Sequence, residues 1–244
     1  MVQTLTATDK PRISFNKLCE YPHVPPAARR RIAREQKYPA DFQVSFYQEA
    51  LYGLLGATNL AAGSFDPQIF AEKAERIAAR SPEGKYQKSR QKNNVEALLQ
   101  LTKLAAEINL PPGEHVKITQ KALMERGGVT ISVRPEFITY NKQLNTFAMT
   151  KFRFSNSPVS ADAAETGLAL LLEFAKEPRF SGHLLDLEHT MIIDVFSGSV
   201  IRGHTVGRHR LAELDAALRE LSTIWPDIKP PGQRQRPSPN GPGG

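Results

Sequence analysis

A single cysteine, Cys19, is all the thiol chemistry in this 244-residue chain. No intramolecular disulfide can form and no cysteine-based zinc site exists. A lone thiol acts as a nucleophile only beside a base, and nothing near Cys19 singles one out, so a small structural side chain is expected. No run of about 18 apolar residues occurs, which leaves no candidate for a membrane-spanning helix. The start, Met1-Val2-Gln3-Thr4-Leu5, lacks the charged and apolar stretches of a signal peptide, and a cytoplasmic protein is the expectation. There is no glycine-rich phosphate loop and no Gly-x-Ser-x-Gly elbow; the residues around Gly198-Ser199 do not match that pattern. His183, Asp186, Glu188 and His189 cluster ahead of a strand, with His204 and His209 after it. None of them has the spacing of a helical zinc motif, and polar loop residues are expected.

What is present is positive charge. Lys and Arg number 32 against 25 Asp and Glu, a formal net charge of +7. Such a surplus favours anionic partners, nucleic acid first and an acidic membrane surface second. Hydrophobic content of 40% is ordinary for a globular chain that can bury a core.

The hydrophobic pattern divides the chain. Residues 1–11 are expected to be a loose leader. Residues 12–113 read as helical. Val44, Tyr47, Leu51, Leu54 and Leu55 recur at helical spacing behind Asp41, a helix opens at Asp66-Pro67, and another is expected over 93–108. Pro111-Pro112-Gly113 breaks the pattern. Residues 114–228 are mixed, with strands expected over 129–134, 147–154 and 190–200. Between the last two lies a helix capped by Ser160, and a closing helix ends at Trp225-Pro226. The tail, 229–244, is basic and rich in Pro and Gly, and is expected to be disordered. The fold class is therefore α/β or α+β: an N-terminal helical region, then a mixed sheet flanked by helices.

Two strands carry the candidate chemistry. The first ends in Arg134-Pro135-Glu136 and the second contains Met149-Thr150-Lys151. Residues two apart in a strand share a face, so Phe147, Met149, Lys151 and Arg153 lie together on what reads as the polar side. Ala148, Phe152 and Phe154 then face the core. A lysine so placed can orient a water or stabilise charge developing on a phosphate, beside a divalent ion held by carboxylates. Glu136 is placed to offer one carboxylate. The plainer reading is a cross-strand ion pair on a solvated sheet face, contributing under about 1 kcal/mol. Asp194, within an apolar run, reads as structural.

The order strand, strand with lysine, helix, strand resembles the core of the PD-(D/E)XK nuclease superfamily, particularly its RecB-like members. The likeness covers about residues 114–200. It implies a restriction-endonuclease-like core with Glu136 as first metal ligand and Lys151 as catalytic lysine. It puts Met149, which cannot bind magnesium, where the second acid belongs. Glu165, near the start of the following helix, is the candidate substitute, and Glu125 could supply the acid that often precedes the core. On this likeness the protein would hydrolyse DNA or RNA phosphodiesters with Mg or Mn held by Glu136 and Glu165, in bacterial genome defence or DNA processing. Alternatively, Met149 marks a catalytically inactive nucleic-acid-binding protein, or the chain is an interaction subunit for an acidic protein partner. More loosely, the chain resembles a group of bacterial proteins that share an arginine run followed by Gln-Lys and a late stretch ending in Trp-Pro; that likeness supplies no chemistry.

Two basic runs complete the reading. Arg29, Arg30, Arg31, Arg34 and Lys37 form the first, where a helix would set Arg30, Arg34 and Lys37 on one side to meet successive phosphates. Lys85, Lys88, Arg90 and Lys92 form the second, interleaved with Tyr86, which could stack on a base. Charge runs of this kind are also what a solvated helix start looks like.

Overall fold

The computed structural model describes residues 8–39, 46–119, 121–155, 158–203 and 207–231, apart from the side chain of Arg208. Expectations for Asp41, Val44, His204, the leader through residue 7 and the tail beyond 231 lie outside them. The fold is mixed α/β.

Its centre is a sheet of strands β4 (Glu114–Lys117), β7 (Phe137–Asn141), β8 (Thr146–Arg153), β10 (Met191–Asp194) and β11 (Ser199–Arg202). The order across it is β11-β10-β8-β7-β4, with the two-residue β9 (Leu184–Leu185) beside the start of β8. β8 and β10 are parallel neighbours, so the chain must cross over between them, and helix α6 (Ala161–Phe174) does so. The other neighbouring pairs on this path are antiparallel. A second sheet of three strands joins β1 (Arg12–Ser14), β6 (Val129–Val133) and β5 (Ala122–Arg126), and β2 (Thr58–Asn59) pairs with β3 (Ser64–Phe65) in a short antiparallel ribbon. Gly127 and Gly128 close the β5–β6 hairpin with φ of 58° and 74°, the backbone that a tight two-residue hairpin turn demands.

Helices cover the central sheet on both faces. On one side lie α3 (Gln48–Ala57), α4 (Pro67–Ala78) and α5 (Gly84–Leu104). Their Leu54, Phe70, Leu98 and Leu101 pack with Phe137, Phe152, Met191 and Ile193 of the strands. On the other lie α1 (Phe15–Glu20), α2 (Pro26–Lys37), α6 and α7 (Arg208–Ile224). Phe15, Leu18, Leu171, Leu214, Leu218 and Trp225 meet Ile138, Phe147, Met149 and Ile192 there, with the small sheet completing that core. The segments before and after Pro111-Pro112 therefore interleave, since β1 from the N-terminal half pairs in parallel with β6 of the C-terminal half. Thr8 joins this side too: its amide donates to the Lys37 carbonyl at 3.0 Å and its own carbonyl accepts the Trp225 indole N–H at 3.1 Å.

Side-chain caps mark the starts of two of the helices. The Asp66 side chain caps α4 by accepting from the Gln68 amide, and Ser160 caps α6 through the Ala163 amide. Three expectations change. The helix expected over 93–108 spans Gly84–Leu104; its first turns are largely exposed and carry no apolar stripe to signal them. The strand expected over 190–200 is a hairpin of β10 and β11, turning at Gly198 with φ of 70°. A strand, β7, fills the stretch after Glu136, where the sequence pattern predicts none.

At Gly113, which leads into β4 with φ of 145°, an added methyl would stand 2.3 Å from the Tyr140 carbonyl oxygen. Gly113→Ala is expected to cost about 2–3 kcal/mol by overpacking and backbone strain, read as a lowered urea midpoint. At Gly56 in α3 a methyl meets nothing within 4 Å, and Gly56→Ala should stabilise by about 0.5–1 kcal/mol.

Candidate functional site

Register brings the two singled-out residues together. Phe137 pairs with Thr150, so positions 136 and 151 stand opposite each other where the β7–β8 ladder ends. Lys151 Nζ donates to Glu136 Oε1 at 2.8 Å and to the Phe152 carbonyl at 3.0 Å. The Phe152 amide donates to Glu136 Oε2 at 2.6 Å, so the carboxylate closes the ladder with its own oxygen. Arg134 Nε lies 3.9 Å from Oε1, and the Phe15 ring sits 6.0 Å from the ammonium. The cross-strand pair is thus real, and its setting is dry. Glu136 is 1% exposed and Lys151 7%.

That dryness corrects the expectation of a polar face on β8. Both faces of the strand are buried, and Met149, at 0% exposure, packs in the same core as Phe147 and Ile192. Two residues further on, Arg153 repeats the arrangement. It donates to Asp194 Oδ2 and to Glu20 Oε1, each at 2.9 Å, and Asp194 also accepts the Val159 amide at 2.8 Å. Asp194 is a structural clasp, as its place within an apolar run implied.

Glu165 is not brought to this pair's hydrogen-bonding network. Its Oε2 accepts from Arg210 Nε at 2.7 Å, and the same guanidinium holds Asp162 and Glu213, tying α6 to α7. The hydrogen bond that Arg210 donates to Glu165 leads the causes that raise its guanidinium above the usual range. Glu125 lies on β5 of the smaller sheet, where it accepts from the Thr130 hydroxyl. A magnesium or manganese ion needs carboxylate oxygens converging on one point. Glu136 has both oxygens engaged and Glu165 is clamped elsewhere. Among the described residues no three His, Cys, Asp or Glu side chains form a group suited to a metal ion. The residues present do not fit the metal that the resemblance implies.

The basic runs divide into anchored and free cations. Lys37 leaves the face expected for it: its ammonium is buried against the carbonyls of Trp225 and Pro226 at 2.6 and 3.3 Å, at the end of α7. Arg29 is held by Glu220 at 2.6 Å and by the Val24 and Pro22 carbonyls. Arg30, Arg31 and Arg34 are exposed on the outer arc of α2, opposite buried Ile32 and Ala33. Arg31 is 3.8 Å from Glu35, whereas Arg30 and Arg34 have no side-chain partner among the described residues. On α5, Lys85, Lys88 and Lys92 are likewise exposed without a partner among them. Arg90 is half-buried at a cleft of about 430 Å³ shared with Arg80 and Tyr86, and its Nε has no partner. α2 and α5 pack on opposite sides of the central sheet, so the two runs are separate faces.

No family model matches the chain, and no curated protein matches it significantly. No helix of the described residues is long and apolar enough to cross a membrane.

Two outcomes follow for this site. Glu136→Gln leaves the Lys151 ammonium buried opposite a neutral amide and should cost about 3–5 kcal/mol in a denaturant titration; Glu136→Leu with Lys151→Met should recover much of it. Cys19, fully buried, has its thiol pushed up to about 12, first by burial and then by the Glu20 charge. It should resist a disulfide thiol reagent at pH 8 in the native protein and react at once when the chain is unfolded.

Proposed function

We propose that this protein binds nucleic acid through exposed basic helix faces and does not cleave it, on a nuclease-like core whose acid–lysine pair serves the fold. What supports this most directly is the outward arc of α2, where Arg30, Arg31 and Arg34 stand exposed and two of the three have no side-chain partner among the described residues. The anchored members of the same run, Arg29 and Lys37, fix that helix to the C-terminal end of the chain and so hold the free ones in place. An arginine without a carboxylate beside it keeps its full capacity for a bidentate phosphate contact. The free lysines at the start of α5 offer a second, weaker phosphate-binding face.

The silent character rests on the pair itself. A general-acid or water-positioning lysine must reach its substrate, and Lys151 is enclosed by Phe15 and already donates to Glu136 and the Phe152 carbonyl. Met149 completes the packing where a second acid would stand.

The test is binding of labelled single- and double-stranded DNA and RNA across a salt series, with magnesium or manganese present. Retardation without cutting is expected, with affinity falling by about three decades between roughly 50 and 200 mM salt if about six phosphates are contacted. Arg30→Glu, Arg31→Glu and Arg34→Glu together should weaken binding to every sequence and flatten the salt slope by about 2.7, or 0.9 per lost phosphate. Metal-dependent cutting lost in Lys151→Ala would overturn the silent reading. Unchanged affinity in the triple variant at low salt would overturn the role of α2.

A further inference from the structure

One opening of the molecule, on the β5–β6 side, belongs to neither basic helix. A cavity of about 300 Å³ lies between the two sheets, bounded by Lys117 and Ile118 at the end of β4 and by Ala122 and Val133 of the small sheet. Pro135, Ile138 and the rings of Phe174 and Phe180 close it from within. Those inner residues and Val133 are buried, whereas Lys121 and Arg179 at its border are exposed and Lys117 is half-buried. The cavity thus has an apolar inner wall and cations at its mouth, and its size is at the lower end of what small-molecule sites use.

The charge around it is one-sided. Neither Lys117 nor Lys121 has a side-chain partner among the described residues. Arg179 lies over the Phe174 ring at 5.3 Å, with its nearest carboxylate, Glu177, at 3.8 Å. Arg134 adds a fourth cation behind the rim, where it donates to the Thr119 carbonyl at 3.4 Å. Of the acids near these groups, Glu136 is committed to Lys151, which leaves Glu177 against four positive side chains. Among the described residues of the lining, Thr119 is the one polar side chain besides the cations. The inner wall of Val133, Pro135, Ile138, Phe174 and Phe180 has no polar side chain to read the edge of a base or the hydroxyls of a sugar, and it suits hydrocarbon.

We infer that this cavity is a binding site for a small amphipathic anion, a medium-chain carboxylate whose tail fills the slot and whose head is met by Lys117, Lys121 and Arg179. The site is independent of the nucleic-acid reading, since it uses none of the arginines of α2 or lysines of α5. Burial of the tail supplies affinity, and the surplus of cations at the mouth selects the sign of the head group.

The test is isothermal titration calorimetry of the full chain with decanoate, and with decyltrimethylammonium, which has the same tail and the opposite charge. Saturable one-site binding of decanoate is expected, at least about tenfold tighter than the ammonium. Lys121→Glu with Arg179→Glu, both at exposed positions, should weaken decanoate by about tenfold or more and narrow the gap to the ammonium. Ala122→Phe should fill the slot and abolish binding; its thermal melt shows whether the fold is retained. If that variant unfolds, the surface double variant decides alone. No saturable heat with decanoate, equal affinity for the two head groups, or indifference to the rim substitutions would each overturn the site.

Discussion

The ion pair of Glu136 and Lys151 sits at the point where a strand buried on both faces meets the loop that links two sheets. β8 lies between a layer of α3, α4 and α5 and a layer of α1, α6 and α7, so any charge it carries leaves water on folding. Its two cations, Lys151 and Arg153, are each met by a buried acid, Glu136 and Asp194, that the neighbouring strands β7 and β10 deliver. Neither acid is free for other work, because each also accepts a backbone amide. Charges enclosed in this way fix strand register more than they add net stability, since desolvation offsets most of the attraction.

From this follows the division of labour over the rest of the molecule. Cations that hold the fold together are saturated: Arg29 and Lys37 on carbonyls and Glu220, Arg126 on Asp215 and Glu173, Arg210 on three acids. Those available to a ligand are the unpaired ones at the surface, on α2, at the start of α5 and around the cavity between the sheets. A sequence count of basic residues merges the two kinds, and only the partners separate them.

The sequence showed some parts of this plainly and hid others for physical reasons. Alternating Val129, Ile131 and Val133, the Asp66 and Ser160 caps and the closing stripe to Trp225 were legible because each signal is local. The pairing of Glu136 with Lys151 was legible as well, as one of two readings. Its burial was not. Phe147 and Met149 on the lysine's own face were the available clue, and they outweigh the charge at 151. β1 had no signal of its own, being three residues whose partner strand is far along the chain. The clamp on Glu165 and the cavity's rim could not be read in advance, because Lys117, Lys121, Arg179 and Arg210 belong to separate segments that only the fold assembles.

The knot of Thr8, Lys37 and Trp225 also bears on how the chain reaches this state. β1 forms only alongside β6, and the end of α2 is sealed only when the last turn of α7 arrives with its carbonyls. The core that holds α1 and α2 therefore stays open until α7 and the residues just after it have been synthesised. Native contacts of such long sequence separation slow folding and keep apolar surface exposed meanwhile. A nascent chain stalled before α7 carries an unfinished core that a chaperone can recognise.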